Sequence, residues 1–194
     1  MSEHAYADVT KQQTAFEGGI AMNTLEAIKA RHSTRAFSDR QISAGDLDTI
    51  LFAGGQAAVG GADFKSLKIY AVQDPEVLKA IDEASAKRRP GSHPLYGAPT
   101  LVVLATKQSI LPNIEFTNAG CVLENMLLAA TDLGIDSIYL WMPMYGINDD
   151  PELMARLGFP EGFTCVGTVA LGYAEKEFRK PKADEQRIEV TYIR

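Results

Sequence analysis

Apolar positions recur along this chain with two spacings, and the switches between them mark the predicted elements. Leu25 and Ile28 fall three apart behind Thr24, a hydroxyl residue suited to cap a helix start, and this short helix is predicted to end near Arg31. Ser43 opens a second helix, with Leu47, Ile50 and Leu51 at helical spacing and Gly54-Gly55 as its stop. After a small-residue loop through Gly60-Gly61 the period shortens to two, so Leu67 to Val72 reads as a strand. Pro75 stands where a third helix begins, and Val77, Leu78 and Ile81 give it an apolar stripe that ends before Arg88-Arg89-Pro90-Gly91. Thr100 to Thr106 is apolar without interruption, the pattern of a strand covered on both faces. Glu115 to Leu133 is the longest helix; Ala119, Leu123, Met126, Leu127 and Ala130 form its stripe and Gly134 its stop. Strands are predicted at Ile135 to Trp141 and Cys165 to Tyr173, with a short helix from Asp150 to Leu157 between them. Arg187 to Tyr192 reads as a last strand.

This alternation gives an α+β class, a mixed central sheet flanked by helices, in one domain over residues 22–194. Residues 1–21 are polar and without sustained period, so they are read as a disordered tail or an upstream extension. A chain of 194 residues buries roughly 70% of its unfolded surface, enough for a core without a disulfide or metal staple.

Composition narrows the function classes. The net charge of −6 removes the broad basic surface that phosphate backbones require, so no nucleic-acid partner is expected. No apolar run approaches the ~20 residues of a membrane span, and no cationic segment leads into an apolar one at the start. A cytoplasmic location is expected. Cys121 and Cys165 stand far apart in apolar surroundings, and both are read as buried core rather than nucleophiles or a disulfide. The chain carries no G-x-G-x-x-G between strand and helix, no Gly-Lys-Ser/Thr loop and no G-x-S-x-G elbow. His4, His32 and His93 lack zinc-ligand spacing, so no metal is expected. With no protein nucleophile in view, any chemistry falls to a bound cofactor.

One segment stands apart: Arg31-His32-Ser33-Thr34-Arg35-Ala36-Phe37. Two guanidinium forks four residues apart, with hydroxyls between them, match the bidentate geometry of phosphate oxygens. Cations past a helix C-terminus also answer its dipole, and composition alone does not separate the two readings. The segment resembles the N-terminal FMN motif of the nitroreductase family, R-x-S-x-[RK]-x-[FY]. Asn125 to Ala130, followed by Leu133-Gly134-Ile135-Asp136-Ser137, resembles that family's central helix and next strand. Leu157 to Phe163, then Val166-Gly167 and Ala170-Leu171-Gly172-Tyr173, resembles its late strand. The resemblance runs in the family's order over about residues 22–194.

That resemblance implies an intertwined homodimer with two FMN sites at the subunit interface. Arg31, Ser33 and Arg35 would hold the phosphate, ribityl chain and pyrimidine edge, with His32 contributing mainly backbone. Arg35 would stabilise negative charge on the reduced ring. The small-residue loop Ala58-Val59-Gly60 would reach the FMN of the other subunit, because a flat ring admits backbone only where side chains are small. An ungapped match places Leu140, Trp141 and Met142 where a backbone amide faces flavin N5; a competing match uses Pro143, Tyr145 and Gly146. Arg187 is the C-terminal candidate for a phosphate cation, with Lys180 and Lys182 as rivals.

The implied activity is hydride transfer from NAD(P)H through flavin N5 to a nitroaromatic, quinone or similar electron-poor small molecule in a ping-pong cycle, with no catalytic side chain. Two departures bear on it. Asp63-Phe64-Lys65-Ser66-Leu67 replaces the frequent N-x-Q-P-W segment, and Trp141-Met142 replaces a common Glu-Gly pair. The first keeps open a flavin-binding or storage protein without turnover, or a specialised flavin chemistry on the same fold.

Overall fold

Polar side chains set where the helices of this computed structural model begin; it describes residues 22–107, 113–176 and 187–194. Helix α1 is Thr24–Ala30, and its cap is Asn23, one residue earlier than the sequence reading placed it. Asn23 Oδ1 accepts from the Glu26 N–H at 3.1 Å while Glu26 Oε2 accepts from the Asn23 N–H at 3.0 Å, a reciprocal capping box. Leu25 and Ile28 face outward from α1, and Ala27 is its buried residue. Ser43 caps α2, Ala44–Gly55, by accepting from the Asp46 N–H. Asp74 accepts from two backbone N–H groups at the start of α3, Pro75–Ala86. Helix α4 is Ile114–Asp132, followed by Gly134 at φ +69°. Two short helices follow, α5 at Met142–Asn148 and α6 at Pro151–Leu157.

The strands are β1 Leu67–Val72, β2 Thr100–Lys107, β3 Asp136–Leu140 and β4 Phe163–Gly172. They form one sheet in the order β1-β2-β4-β3. The class is α+β, as read. Every described pairing is antiparallel, so the mixed sheet of the sequence reading narrows to an antiparallel one among the described residues. Tyr70 lies opposite Val103, Val102 opposite Val169, and Ile138 opposite Ala170.

Side chains alternate across β2, and the two faces enter different cores. Leu101 and Val103 join Ile81 of α3, Met144 and Ile147 of α5, and Leu153 of α6. Val102 and Leu104 join Leu47 and Ile50 of α2 and Leu123 and Met126 of α4. The sheet is therefore the middle of three layers, which is why β2 reads as continuously apolar.

Two expectations need correction. Cys165 is buried as read, but Cys121 is exposed on α4, whose apolar stripe leaves that face outside the core. Arg187–Tyr192 forms no strand: residues 187–194 are exposed, and among the described residues they join no sheet. The predicted tail, residues 1–21, lies outside the described residues. No described helix is long and apolar enough to cross a membrane, and no described group of His, Cys, Asp and Glu could hold a metal.

Candidate functional site

The basic segment is strapped across the ends of β3 and β4. The Thr34 N–H donates to the Ser137 carbonyl at 3.1 Å, the Phe37 N–H to Tyr96 at 3.1 Å, and the Ser38 N–H to Tyr173 at 2.8 Å. Phe37 also bridges to Ala174 in antiparallel fashion. Thr34 and Phe37 are buried, whereas Arg31 and Ser33 are half-buried and Arg35 is exposed.

A carboxylate that the sequence reading gave no role organises this arrangement. Asp136, the first residue of β3, uses both oxygens. Oδ1 accepts from the Thr34 hydroxyl at 3.0 Å and lies 3.1 Å from His32 Nε2, while Oδ2 accepts from the Ala174 N–H at 2.8 Å. The His32 ring is thus engaged structurally, its Nδ1 standing 3.2 Å from the Ala30 carbonyl oxygen.

The two arginines differ. Arg31 closes α1 and lies 3.8 Å from Glu124, a loose and half-exposed pair. Arg35 stands five residues past the end of α1, beyond the reach of its dipole, and among the described residues its hydrogen bond is to the Ser33 carbonyl at 3.5 Å. Among the described residues no carboxylate lies within 4 Å of it.

Arg35 opens onto a cavity of about 760 Å³. Leu140, Trp141 and Met142 line the same cavity, so the fold joins two predicted groups more than a hundred residues apart. Tyr96, Tyr139 and the α3–β2 loop residues Arg89, Ser92 and His93 complete much of the wall. The sequence reading missed that loop; its Arg-Arg pair was the available signal. Leu140 is buried, with its carbonyl accepting from the Thr168 hydroxyl at 2.9 Å, and Trp141 is 44% exposed. The competing match falls within α5, Met142–Asn148. Gly146 packs within α5 against α3, where an added Cβ would lie 2.6 Å from the Ser85 backbone nitrogen.

The small-residue loop is not in this cavity. The Gly60 N–H donates to Asn118 Oδ1 of α4 at 2.9 Å, and an added Cβ at Gly60 would meet Ile114 Cδ1 at 2.6 Å. Ala58 is exposed, and Val59 lines a separate apolar cavity of about 380 Å³ with Phe64 and Leu67. Asp63 sits in a tight turn, its carbonyl accepting from the Ser66 N–H and hydroxyl. Arg187 lies in the exposed 187–194 segment, and Lys180 and Lys182 lie outside the described residues. Within one chain the cavity wall therefore takes in Arg35 with residues 140–142, and takes in none of Arg31, His32, Ser33, residues 58–60 or Arg187.

The cysteines offer no nucleophile at this cavity. Burial pushes the Cys165 thiol up to about 12, against a smaller opposing effect of its contact with Gly167, and the reactive thiolate is suppressed. Burial, and secondarily Cys165, also raises the Tyr139 hydroxyl above the ordinary tyrosine value. The cavity offers two arginines against one carboxylate, Glu175, together with aromatic surface and backbone, a set suited to a flat anionic cofactor.

Comparison with known proteins points the same way. The FMN-bound nitroreductase from Desulfitobacterium hafniense DCB-2 superposes with a TM-score of 0.80 at 26% identity, covering 89% of this chain and 100% of that one. The FMN-bound nitroreductase from Bacteroides fragilis NCTC 9343 gives 0.74 at 32% identity, covering 88% and 100%. A protein of Archaeoglobus fulgidus with the provisional name NADH dehydrogenase/NAD(P)H nitroreductase is 32% identical over 164 residues, 84% of this chain and 91% of its own. The model of the nitroreductase family matches residues 28–90 and 86–173, so the match takes in both the strapped basic segment and the strand end that faces it. The chain belongs to the nitroreductase family.

Proposed function

We propose that this protein is an FMN-dependent oxidoreductase that transfers reducing equivalents from NAD(P)H to an electron-poor small molecule such as a nitroaromatic or quinone. The observation that carries this reading is the cavity shared by Arg35 and residues 140–142, where no carboxylate of the described residues pairs with the guanidinium within 4 Å, although Glu175 lines the same wall. Further support comes from the bound FMN in two similar structures and the NAD(P)H in a relative's name.

The residues fit that cofactor. Arg31, Ser33 and Arg35 supply charged and hydroxyl donors for its phosphate, ribityl chain and pyrimidine edge, and Thr34 and Asp136 hold their backbone in place. Leu140, Trp141 and Met142 offer backbone at the β3–α5 junction, where the first N–H groups of a helix have no intrahelical acceptor. Ala58, Val59 and Gly60 come from a second copy in a homodimer, and Arg187 adds a cation. FMN held by these residues would supply the hydride-transfer chemistry between NAD(P)H and the acceptor. Arg35 favours that chemistry by placing a fixed positive charge in a partly dehydrated cavity, where it stabilises the added negative charge. Donor and acceptor use one cavity in turn, which gives ping-pong kinetics. Residues 22–194 act as a single domain.

The test is an FMN titration followed by visible absorption. Replacing Arg31 and Arg35 together with Ala should raise the FMN dissociation constant about 100-fold or more, since each removes charge-assisted hydrogen bonds. An unchanged constant would make the cluster structural. Stopped-flow mixing of the loaded protein with NADH and NADPH then tests turnover. Flavin that stays oxidised with both donors would favour storage, the reading motivated by Asp63 where an asparagine is frequent.

A further inference from the structure

Trp141 stands at the cavity wall in an unusually fixed setting for an exposed side chain. Its indole N–H donates to the Tyr145 hydroxyl at 2.8 Å, and the two rings meet edge to face at 74° with centroids 6.1 Å apart. The Arg88 guanidinium lies 4.2 Å from the Tyr145 ring centroid. Arg88 is clamped in turn by Asp149, whose Oδ2 accepts from Nε at 3.1 Å and Nη2 at 2.7 Å. Tyr139 and Phe116, from β3 and α4, stand 6.2 and 6.5 Å from the indole. Each group thus orients the next, from Asp149 through Arg88 and Tyr145 to Trp141.

We infer that Trp141 is a specificity-determining stacking platform for flat conjugated ligands in this cavity, with Tyr145 and Arg88 as positioning residues that set its plane. The inference rests on the proposed function for the identity of the cavity. Tyr145 occupies the only N–H of the indole, so the ring presents π surface and no donor to a ligand. A surface of that kind favours planar, electron-poor molecules by stacking and does little for saturated ones. Arg35 and Arg89 outnumber Glu175 on the same cavity wall, which adds a preference for negative charge. The ordering cost of a long-lived ring orientation is already met by the Asp149–Arg88–Tyr145 series, so less is lost when the ligand binds.

The chain contains a single tryptophan, so intrinsic fluorescence reports on Trp141 alone. The experiment compares anthraquinone-2-sulfonate, flat and anionic, with camphor-10-sulfonate, which carries the same charge on a globular frame. Both are titrated by calorimetry into the full chain with FMN added. Anthraquinone-2-sulfonate should bind the tighter and quench Trp141 saturably. In Trp141→Leu its dissociation constant relative to that of camphor-10-sulfonate should rise about tenfold, and Trp141→Phe should recover most of the loss. Tyr145→Phe and Arg88→Gln should weaken the same preference about threefold and lower the fluorescence anisotropy of Trp141, a change that a merely structural role would not produce. A preference within twofold of wild type in folded Trp141→Leu would overturn the inference, as would unchanged anisotropy in both positioning variants. FMN binding is read separately by visible absorption. Absent flavin binding with an intact planar preference would sink the cofactor reading alone.

Discussion

At the scale of single residues, the arrangement of the basic segment depends on Asp136. One carboxylate receives a buried hydroxyl and a backbone N–H from two chain segments that lie before and after it, and also meets His32. Such a group is costly to remove, because its donors lose their acceptor in a place water reaches poorly. Asp136→Ala should therefore destabilise the protein by about 3 kcal/mol, and Thr34→Val, which keeps shape and removes one donor, by about 1 kcal/mol. Urea unfolding measures both, and equal losses would show that the carboxylate acts through something other than these bonds. Asp136 was visible in the sequence only as a charge opening an apolar strand. Its partners, Thr34 and Ala174, are set by tertiary contact, which residue spacing does not encode.

At the scale of elements, the unpredicted helix α5 explains why the site has its shape. It begins directly after Trp141, turning the chain away from β3 so that residues 140–142 form a corner at the cavity. Its face toward α3 is closed by Gly146, where an added Cβ would lie 2.6 Å from the Ser85 nitrogen and 2.8 Å from its Cα. Gly146→Ala should push the two helices apart and cost about 2 kcal/mol, read as a lower thermal midpoint. Ser85→Ala should not restore it, because the obstruction includes backbone. The longer elements were legible: α2, α3 and α4 carry sustained apolar periods with caps or glycine stops, and β1 and β2 carry strand patterns. Helix α5 was not, since seven residues with a proline near the start and a glycine inside hold too little period to recognise. The site divides likewise. Arg31, Ser33 and Arg35 are contiguous and could be read as a motif, whereas Asn118 beneath Gly60 and Arg88 beside Tyr145 join remote segments.

At the scale of the whole molecule, one chain presents an incomplete arrangement. Leu25, Ile28, Phe52, Ile188 and Ile193 are each about half exposed or more, apolar surface that a second chain would cover in part. The loop at 58–60, which the family resemblance assigns to the cofactor, does not line the cavity that holds Arg35. Both observations are met if a second copy brings its loop to the first copy's cavity. Complementation distinguishes that arrangement from a site built within one chain. Arg35→Ala and Ala58→Glu should each weaken FMN binding, and Ala58 is exposed, so the second change should not disturb folding. If the site is shared, a heterodimer of the two variants carries one site with both changes and one with neither. Equimolar chains reassociated at random form heterodimers half of the time, so about one quarter of all sites should bind FMN with wild-type affinity. If each site draws on one chain only, every site in the mixture carries a change and none recovers. Visible absorption after mixed refolding, with sedimentation to confirm twice the chain mass, gives the fraction directly. Recovery near zero in a confirmed dimer would place residues 58–60 in the same chain's site, and recovery of about one half would place them outside the site altogether.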